Sequence, residues 1–399
     1  MKISFLKLSR FCFYLFFAFL PFQIDVVFSV TDLYPSGFFN PFSTHFFYVT
    51  EFLLMVSVLF LALHRLFSTK PKFVIKVDSV GRLYLLLVFS VLISSFFATD
   101  FDVSLLYLWR FIEGFFVYIL LLSGVFDLKK IMKIFVAVMI FEAVLGIFQF
   151  VFQHSLGLSL LGEPFLDLQI KGIASTTVFG EKLLRAYGTF SHPNVFAMFL
   201  VFAIYFCLFL KMRARVLISL ILSFALVFTF SRTGFLAAGL GIVGFLFLKK
   251  NTKYLRIGIL FLVLLVVLLA LRFILDDDSA LVERWRLFLI AKDMFFHNPF
   301  GVGAGNFTLV MSEYSDIKLL PWNYQPVHNI FILAFAELGF FGGVILISLI
   351  MKRSTLMLPL WLIFIVGASF DHYFLTLYQG QMLFVLFLAL SSYYSKSLA

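Results

Sequence analysis

The chain has 399 residues, of which 62% are hydrophobic and 13% charged, whereas soluble proteins are about 45 to 50% apolar. That balance excludes an ordinary soluble globule. The formal net charge of +10 is read first against membrane topology rather than as a nucleic-acid footprint. The two cysteines, Cys12 and Cys207, lie inside apolar runs, where a disulfide framework or a thiolate metal site is not expected.

In chain order, segments long enough to span a bilayer fall near 11–30, 46–67, 80–98, 103–124, 131–152, 194–210, 214–230, 233–248, 254–275, 328–350, 355–371 and 374–394. Their apolar runs are continuous rather than alternating, which excludes a closed barrel. The expectation is an all-α polytopic membrane protein with about twelve transmembrane helices in a single membrane domain, 1–399. The first segment follows Lys2, Lys7 and Arg10 without a small-residue cleavage site, and reads as a retained helix continuing through Pro21. Residues 216–248 are too long for one crossing and nearly enough for two, so a tight hairpin is expected with Ser231, Arg232 and Thr233 at its tip.

Threading twelve helices from a cytoplasmic N-terminus gathers 21 of the 31 lysines and arginines on one side, in the short basic connections such as Lys129–Lys133 and Lys211–Arg215. That is the distribution read as cytoplasmic, and it puts both termini inside. A reporter fused after residue 130 or 213 should therefore read cytoplasmic, and one fused within 276–327 external. An inward-facing 276–327 would overturn the topology. Two long outer loops are expected, 153–193 and 276–327, and loops of this size are often functional. The second holds ERWRLFLIAKDMFFHNPF, where Trp285, Phe288, Leu289, Phe295 and Phe296 accompany Arg284, Arg286 and Lys292. This mixture reads as an interfacial helix with its bases near lipid phosphates, followed by a glycine-rich turn.

Several residues carry chemistry in this frame. Arg232 at a hairpin tip is either a snorkelling anchor or a bidentate phosphate grip. Arg185 in RAYGTFSHPN stands just before a helix start made by Pro193 and Asn194. NPFGVGAGNF, residues 298–307, is a tight return of the chain or a turn that aims backbone amides at a phosphate. His328 lies at or near a helix N-terminus, where the dipole favours the neutral imidazole that a general base needs; the bland alternative is a helix cap. Glu51 and Glu113 lie within apolar segments, Glu113 three residues after Arg110 on one helix face. Asp276, Asp277 and Asp278 are consecutive and do not converge as metal ligands would.

Together these motifs resemble the O-antigen ligase and polymerase family, multi-pass transferases of lipid-linked glycans. The resemblance is clearest over 185–343. It rests on Arg185 before GTF and PN, SRTG with Arg232, Arg284 four residues before Phe288 with Pro299 and GVGAGNF beyond, and His328–Asn329 followed by Glu337–Leu338–Gly339. The family commonly has Trp where Phe288 stands.

The resemblance implies transfer of a glycan from undecaprenyl diphosphate to an acceptor hydroxyl, a glycan or a lipid core, at the outer face of the cytoplasmic membrane. In that reading Arg185, Arg232 and Arg284 stabilise charge on the diphosphate and His328 acts on the acceptor. Asn329, Glu337, Arg286, Gly303 and Gly305 support the site. No metal and no cofactor are expected, the anomeric carbon inverts, and membrane lipids but no nucleic acid are partners. The alternatives are a flippase or exporter of the same lipids, which would need polar groups at midplane and repeat symmetry, and a protein O-oligosaccharyltransferase, which differs only in its acceptor.

Overall fold

The computed structural model describes residues 4–29, 40–68, 77–248, 279–352 and 357–396. The span expected at 254–275 and the Asp276–Asp278 run lie outside them. The described helices longer than one turn are α1 (Phe5–Phe19), α2 (Val49–Phe67), α3 (Ser79–Ser95), α4 (Phe101–Leu122), α5 (Leu128–Phe152), α6 (Pro193–Phe209), α7 (Arg215–Phe228) and α8 (Arg232–Leu248). They continue with α9 (Ser279–His297), α10 (Ile330–Met351), α11 (Leu358–Phe370) and α12 (Tyr378–Lys396). Four of them, α2, α4, α5 and α10, are long and apolar enough to cross a membrane by length and composition, and α3, α6, α7, α8 and α11 are shorter apolar helices.

Helix boundaries fall close to the expected spans, with two differences. The first helix begins earlier, at Phe5, and stops at Phe19 instead of running through Pro21, because proline supplies no amide hydrogen for the helical ladder. The chain is also not purely helical. Strands β1 (Asp25–Ser29) and β2 (His45–Tyr48) form one two-stranded sheet, and β3 (Ser175–Val178) and β4 (Glu181–Leu184) a second, antiparallel hairpin within the 153–193 connection.

The chain divides into two compact units. One contains 1–26, 47–74 and 123–265, the other 27–46, 75–122 and 266–399. In the first, α6 is buried on nearly every side from Val195 to Cys207, as a helix apolar all round should be, and Phe199 stacks on Phe135 of α5 at 5.7 Å. Glu51, a carboxylate within an apolar segment, accepts the Tyr48 amide at 2.7 Å and so caps the start of α2. In the second unit every residue of α12 from Tyr378 to Ser392 is buried, and Phe387 stacks on Phe364 of α11 at 4.4 Å.

The second unit also contains a broken helix. Gly339 inside α10 has φ +71 and ψ −169, a conformation open to glycine but strained for residues with a Cβ. The break frees backbone groups, and the glycine-rich turn meets them: Val302 and Gly303 donate to the Ala336 and Glu337 carbonyls, and Phe340 donates to the Pro299 carbonyl, each at 3.0 Å. Gly301, Gly303 and Gly305 all have positive φ. A Cβ on Gly301 would lie 2.2 Å from the Glu337 carbonyl oxygen, so the turn needs glycine to come this close.

Candidate functional site

In the first unit the α7–α8 hairpin has the expected tip. Helix α7 ends at Phe228, Phe230 turns the chain with φ +46, and the Ser231 hydroxyl accepts the Gly234 amide at 3.2 Å, capping α8. Arg232 is the first residue of α8 and is half-buried. A guanidinium at the positive end of a helix is suited to an anion. Arg185 binds the same tip: its Nε donates to the Thr229 carbonyl at 2.6 Å and its Nη2 to Asn194 Oδ1 at 3.0 Å, while the neighbouring Ala186 amide donates to the Phe228 carbonyl at 2.9 Å. The structure thus brings Arg185 to the turn that carries Arg232. His192 caps α6 by accepting the Asn194 amide, with Pro193 at its first turn.

What holds Arg185 there is a polar stripe on α5 that sequence reasoning missed. Glu142 and Gln149 are seven residues apart, which places them on one face of α5, and Gln153, four further on, caps its C-terminus. Glu142 accepts both the Thr189 amide and the Thr189 hydroxyl at 2.9 Å. Gln149 accepts the Tyr187 and Gly188 amides at 3.1 and 2.8 Å and donates to the Gly188 carbonyl and Glu163. Gln153 accepts the Leu184 amide at 2.7 Å. The signal was present in the sequence, since a carboxylate and an amide on one stripe of an apolar span need partners.

This clamp makes a prediction. Gly188 has φ +61, and an added Cβ would lie 2.5 Å from a Glu142 carboxylate oxygen. Gly188→Ala should lower stability by about 1–3 kcal/mol through backbone strain alone, with more from the clash. A thermal-unfolding midpoint equal to wild type in detergent would refute the clamp.

In the second unit the ends of α9, α10 and α11 converge. Arg284 Nη1 donates to the Phe370 carbonyl at 3.0 Å. Asn329 caps α10 by accepting the Phe331 and Ile332 amides, and its Nδ2 donates to the Ser369 carbonyl at 3.0 Å. Two neighbours on α11 therefore anchor both residues, and the next residue, Asp371, faces His328. The His328 Nδ1 lies 3.5 Å from Asp371 Oδ1. That is a near contact rather than a closed hydrogen bond, and this buried nitrogen has no hydrogen-bond partner among the described residues.

His372 follows. Its amide donates to Asp371 at 2.9 Å, its Nδ1 meets the Thr376 hydroxyl at 2.7 Å, and its Nε2 lies 3.8 Å from Asp371. The two imidazoles are 5.3 Å apart. Burial pushes the His372 pKa down to about 3, Asp371 opposing and His328 and Arg284 reinforcing the shift, so this ring is neutral in the ordinary pH range. His328, Asp371 and His372 can be described in two ways. They are a histidine held by a carboxylate, or two imidazoles and a carboxylate whose ligand atoms lie within 4.8 Å of one another, a donor set able to hold a metal ion. Asp371 and His372 were legible only as a polar pair between two apolar runs.

The remaining expected residues lie elsewhere in the second unit. Glu337 is buried at the break in α10, accepting the Phe307 amide at 3.3 Å. The Gly303 amide donates to the Glu337 carbonyl, so that amide serves the break. Gly305 packs against Tyr107. Arg286 stands on α9 two residues beyond Arg284 and is half-buried.

A largely helical, apolar chain in which four of the described helices are long and apolar enough to cross a bilayer is a membrane protein, with Arg232 at one helix start and His328 facing Asp371 at a helix junction. Residues 217–347, a window holding Arg232, Arg284 and His328, match the family model for O-antigen ligase, which supports membership of the O-antigen ligase and polymerase family. No curated protein matches the chain.

Proposed function

We propose that the chain transfers or polymerises a glycan from undecaprenyl diphosphate onto an acceptor hydroxyl at the outer face of the cytoplasmic membrane. The observation that carries this reading is that the O-antigen ligase match contains both Arg284 and His328, and that both reach the end of α11, Arg284 through its hydrogen bond to the Phe370 carbonyl and His328 by its 3.5 Å approach to Asp371. The acceptor oxygen attacks the anomeric carbon from the face opposite the diphosphate, the bond from that carbon to the phosphate oxygen breaks, and the configuration inverts. His328 takes the proton from the acceptor hydroxyl. Asp371, beside Nδ1, favours the tautomer protonated there and leaves Nε2 as the base. The diphosphate departs with the bonding pair, and its growing charge is met by Arg284 in this cluster; Arg232, at the tip that Arg185 supports, is the anion-binding candidate of the first unit.

The direct test is purified protein in lipid nanodiscs with a polyprenyl diphosphate glycan and candidate acceptors, followed by detection of a new glycosidic bond. Absence of product with every glycan and lipid-core acceptor would reject the transferase reading.

A second reading, metal-assisted transfer, is favoured by the His328–Asp371–His372 donor set. A metal there would occupy the imidazole lone pair that the base needs, so the two readings exclude each other. The metal-independent route predicts undiminished transfer after exhaustive chelation. Loss of activity restored by zinc or manganese would select the metal.

A further inference from the structure

His372 takes no part in the acceptor or donor chemistry, yet it is buried beside the histidine that does. Its Nδ1 meets the Thr376 hydroxyl at 2.7 Å, and that hydroxyl donates its only hydrogen to the His372 carbonyl at 3.3 Å. The hydroxyl oxygen is therefore an acceptor for Nδ1–H, and the neutral ring carries its lone pair on Nε2. That lone pair lies 3.8 Å from Asp371 Oδ1, beyond hydrogen-bond distance.

Asp371 Oδ1 thus faces two imidazole nitrogens, His328 Nδ1 at 3.5 Å and His372 Nε2 at 3.8 Å. Nitrogen and oxygen ligands about 2.0 to 2.1 Å from a tetrahedral zinc ion are about 3.4 Å apart, so small side-chain rotations bring these atoms to ligand positions. The Thr376 contact is what a ligating histidine needs at its other nitrogen, because a hydrogen bond there fixes both the tautomer and the ring plane. The His328 side chain is 19% exposed, against 7% for Asp371 and 9% for His372, so an ion reaches the cluster past His328. Imidazole nitrogens favour zinc over magnesium and calcium, which prefer oxygen ligands.

We infer that His328, Asp371 and His372 form an inhibitory zinc site. Binding follows from the geometry of the cluster, and inhibition rests on the transferase reading, in which His328 Nε2 is the base. Zinc at His328 Nδ1 takes the place of the hydrogen that Asp371 favours there. The neutral ring keeps its one hydrogen, now on Nε2, so the nitrogen that would receive the acceptor's proton has no lone pair left. Arg284, held at the Phe370 carbonyl next to Asp371, repels a second cation and keeps the binding weak enough for a chelator to reverse. Zinc therefore lowers transfer, whereas metal-assisted transfer would have it rise.

The experiment strips metal from the full-length protein in nanodiscs, then follows zinc binding by calorimetry and glycan transfer over the same zinc concentrations. Transfer should fall as the site fills, a chelator should restore it, and excess magnesium should have no effect. Thr376→Val, which removes only the hydrogen bond to Nδ1, should raise the zinc concentration for half-inhibition about tenfold or more. His372→Gln, which removes a ligand, should raise it further; should that variant fail to fold, Thr376→Val and the calorimetry decide. Each variant is compared with its own zinc-free activity and all share one donor, so zinc taken up by the diphosphate affects them equally. Inhibition curves that superimpose on wild type, or transfer that rises with zinc, would overturn the inference, the rise selecting metal-assisted transfer. Zinc bound with the same dependence on Thr376 and His372, in a protein that forms no glycosidic bond with any acceptor, would keep the site and reject the transferase reading. Transfer by a protein that binds no zinc at this cluster would do the reverse.

Discussion

His328→Ala is expected to lower turnover by about 100-fold or more, the usual effect of removing a general base, while donor KM stays close to wild type. The asymmetry follows from the proposed roles: the imidazole would act on the acceptor's proton, and the donor would be held by arginine. Asp371→Asn should also lose turnover, because the amide no longer favours the Nδ1-protonated ring beside it. The combined His328→Ala/Asp371→Asn protein should be no worse than His328→Ala alone, since the carboxylate works through the imidazole and coupled residues are not additive. Single-turnover assays at saturating donor measure this directly. Full turnover in His328→Ala would remove the base from the mechanism. Additive losses in the double variant would make Asp371 an independent participant.

Arg284→Ala is expected to cost about 100- to 1,000-fold, the range for removing one donor that stabilises developing negative charge. Arg284→Lys is the more discriminating change. One Arg284 nitrogen is already engaged by the Phe370 carbonyl at 3.0 Å, which aims the guanidinium and leaves its other donors for phosphate. A lysine ammonium keeps the charge but lacks the planar fork, so it cannot hold that carbonyl and present a bidentate face together. Activity of Arg284→Lys should stay well below wild type. If Arg284 were only a headgroup anchor, lysine would serve nearly as well, and near-normal kcat/KM would establish that role. Arg232→Lys applies the same test to the α7–α8 tip.

Of the fold and candidate site, the parts legible in the sequence were those set by local pattern. Apart from the first helix, run length and hydropathy placed the described apolar helices to within a few residues, because each span must satisfy its own backbone hydrogen bonds whatever its neighbours do. The hairpin tip at Ser231–Thr233 followed from length alone, and Arg232, Arg284 and His328 stood out because charge is costly in an apolar chain. Pro21 was the local signal misread: the helix stops just before it.

Side-chain pairing was decided only by tertiary structure. His328 and Asp371 are separated by more than forty residues and meet through the end of α11; Glu142 and Thr189 meet across the 153–193 connection. Helices such as α6 and α10 are apolar on nearly every side, so their sequences carry no stripe to say which face turns inward, and rotation is set by packing against neighbours. The break at Gly339 likewise depends on the glycine-rich turn supplying partners for its freed backbone groups. The sequence by itself determined a helical membrane protein and its candidate cations and bases; packing decided which of them meet, because hydropathy specifies burial but not the neighbour.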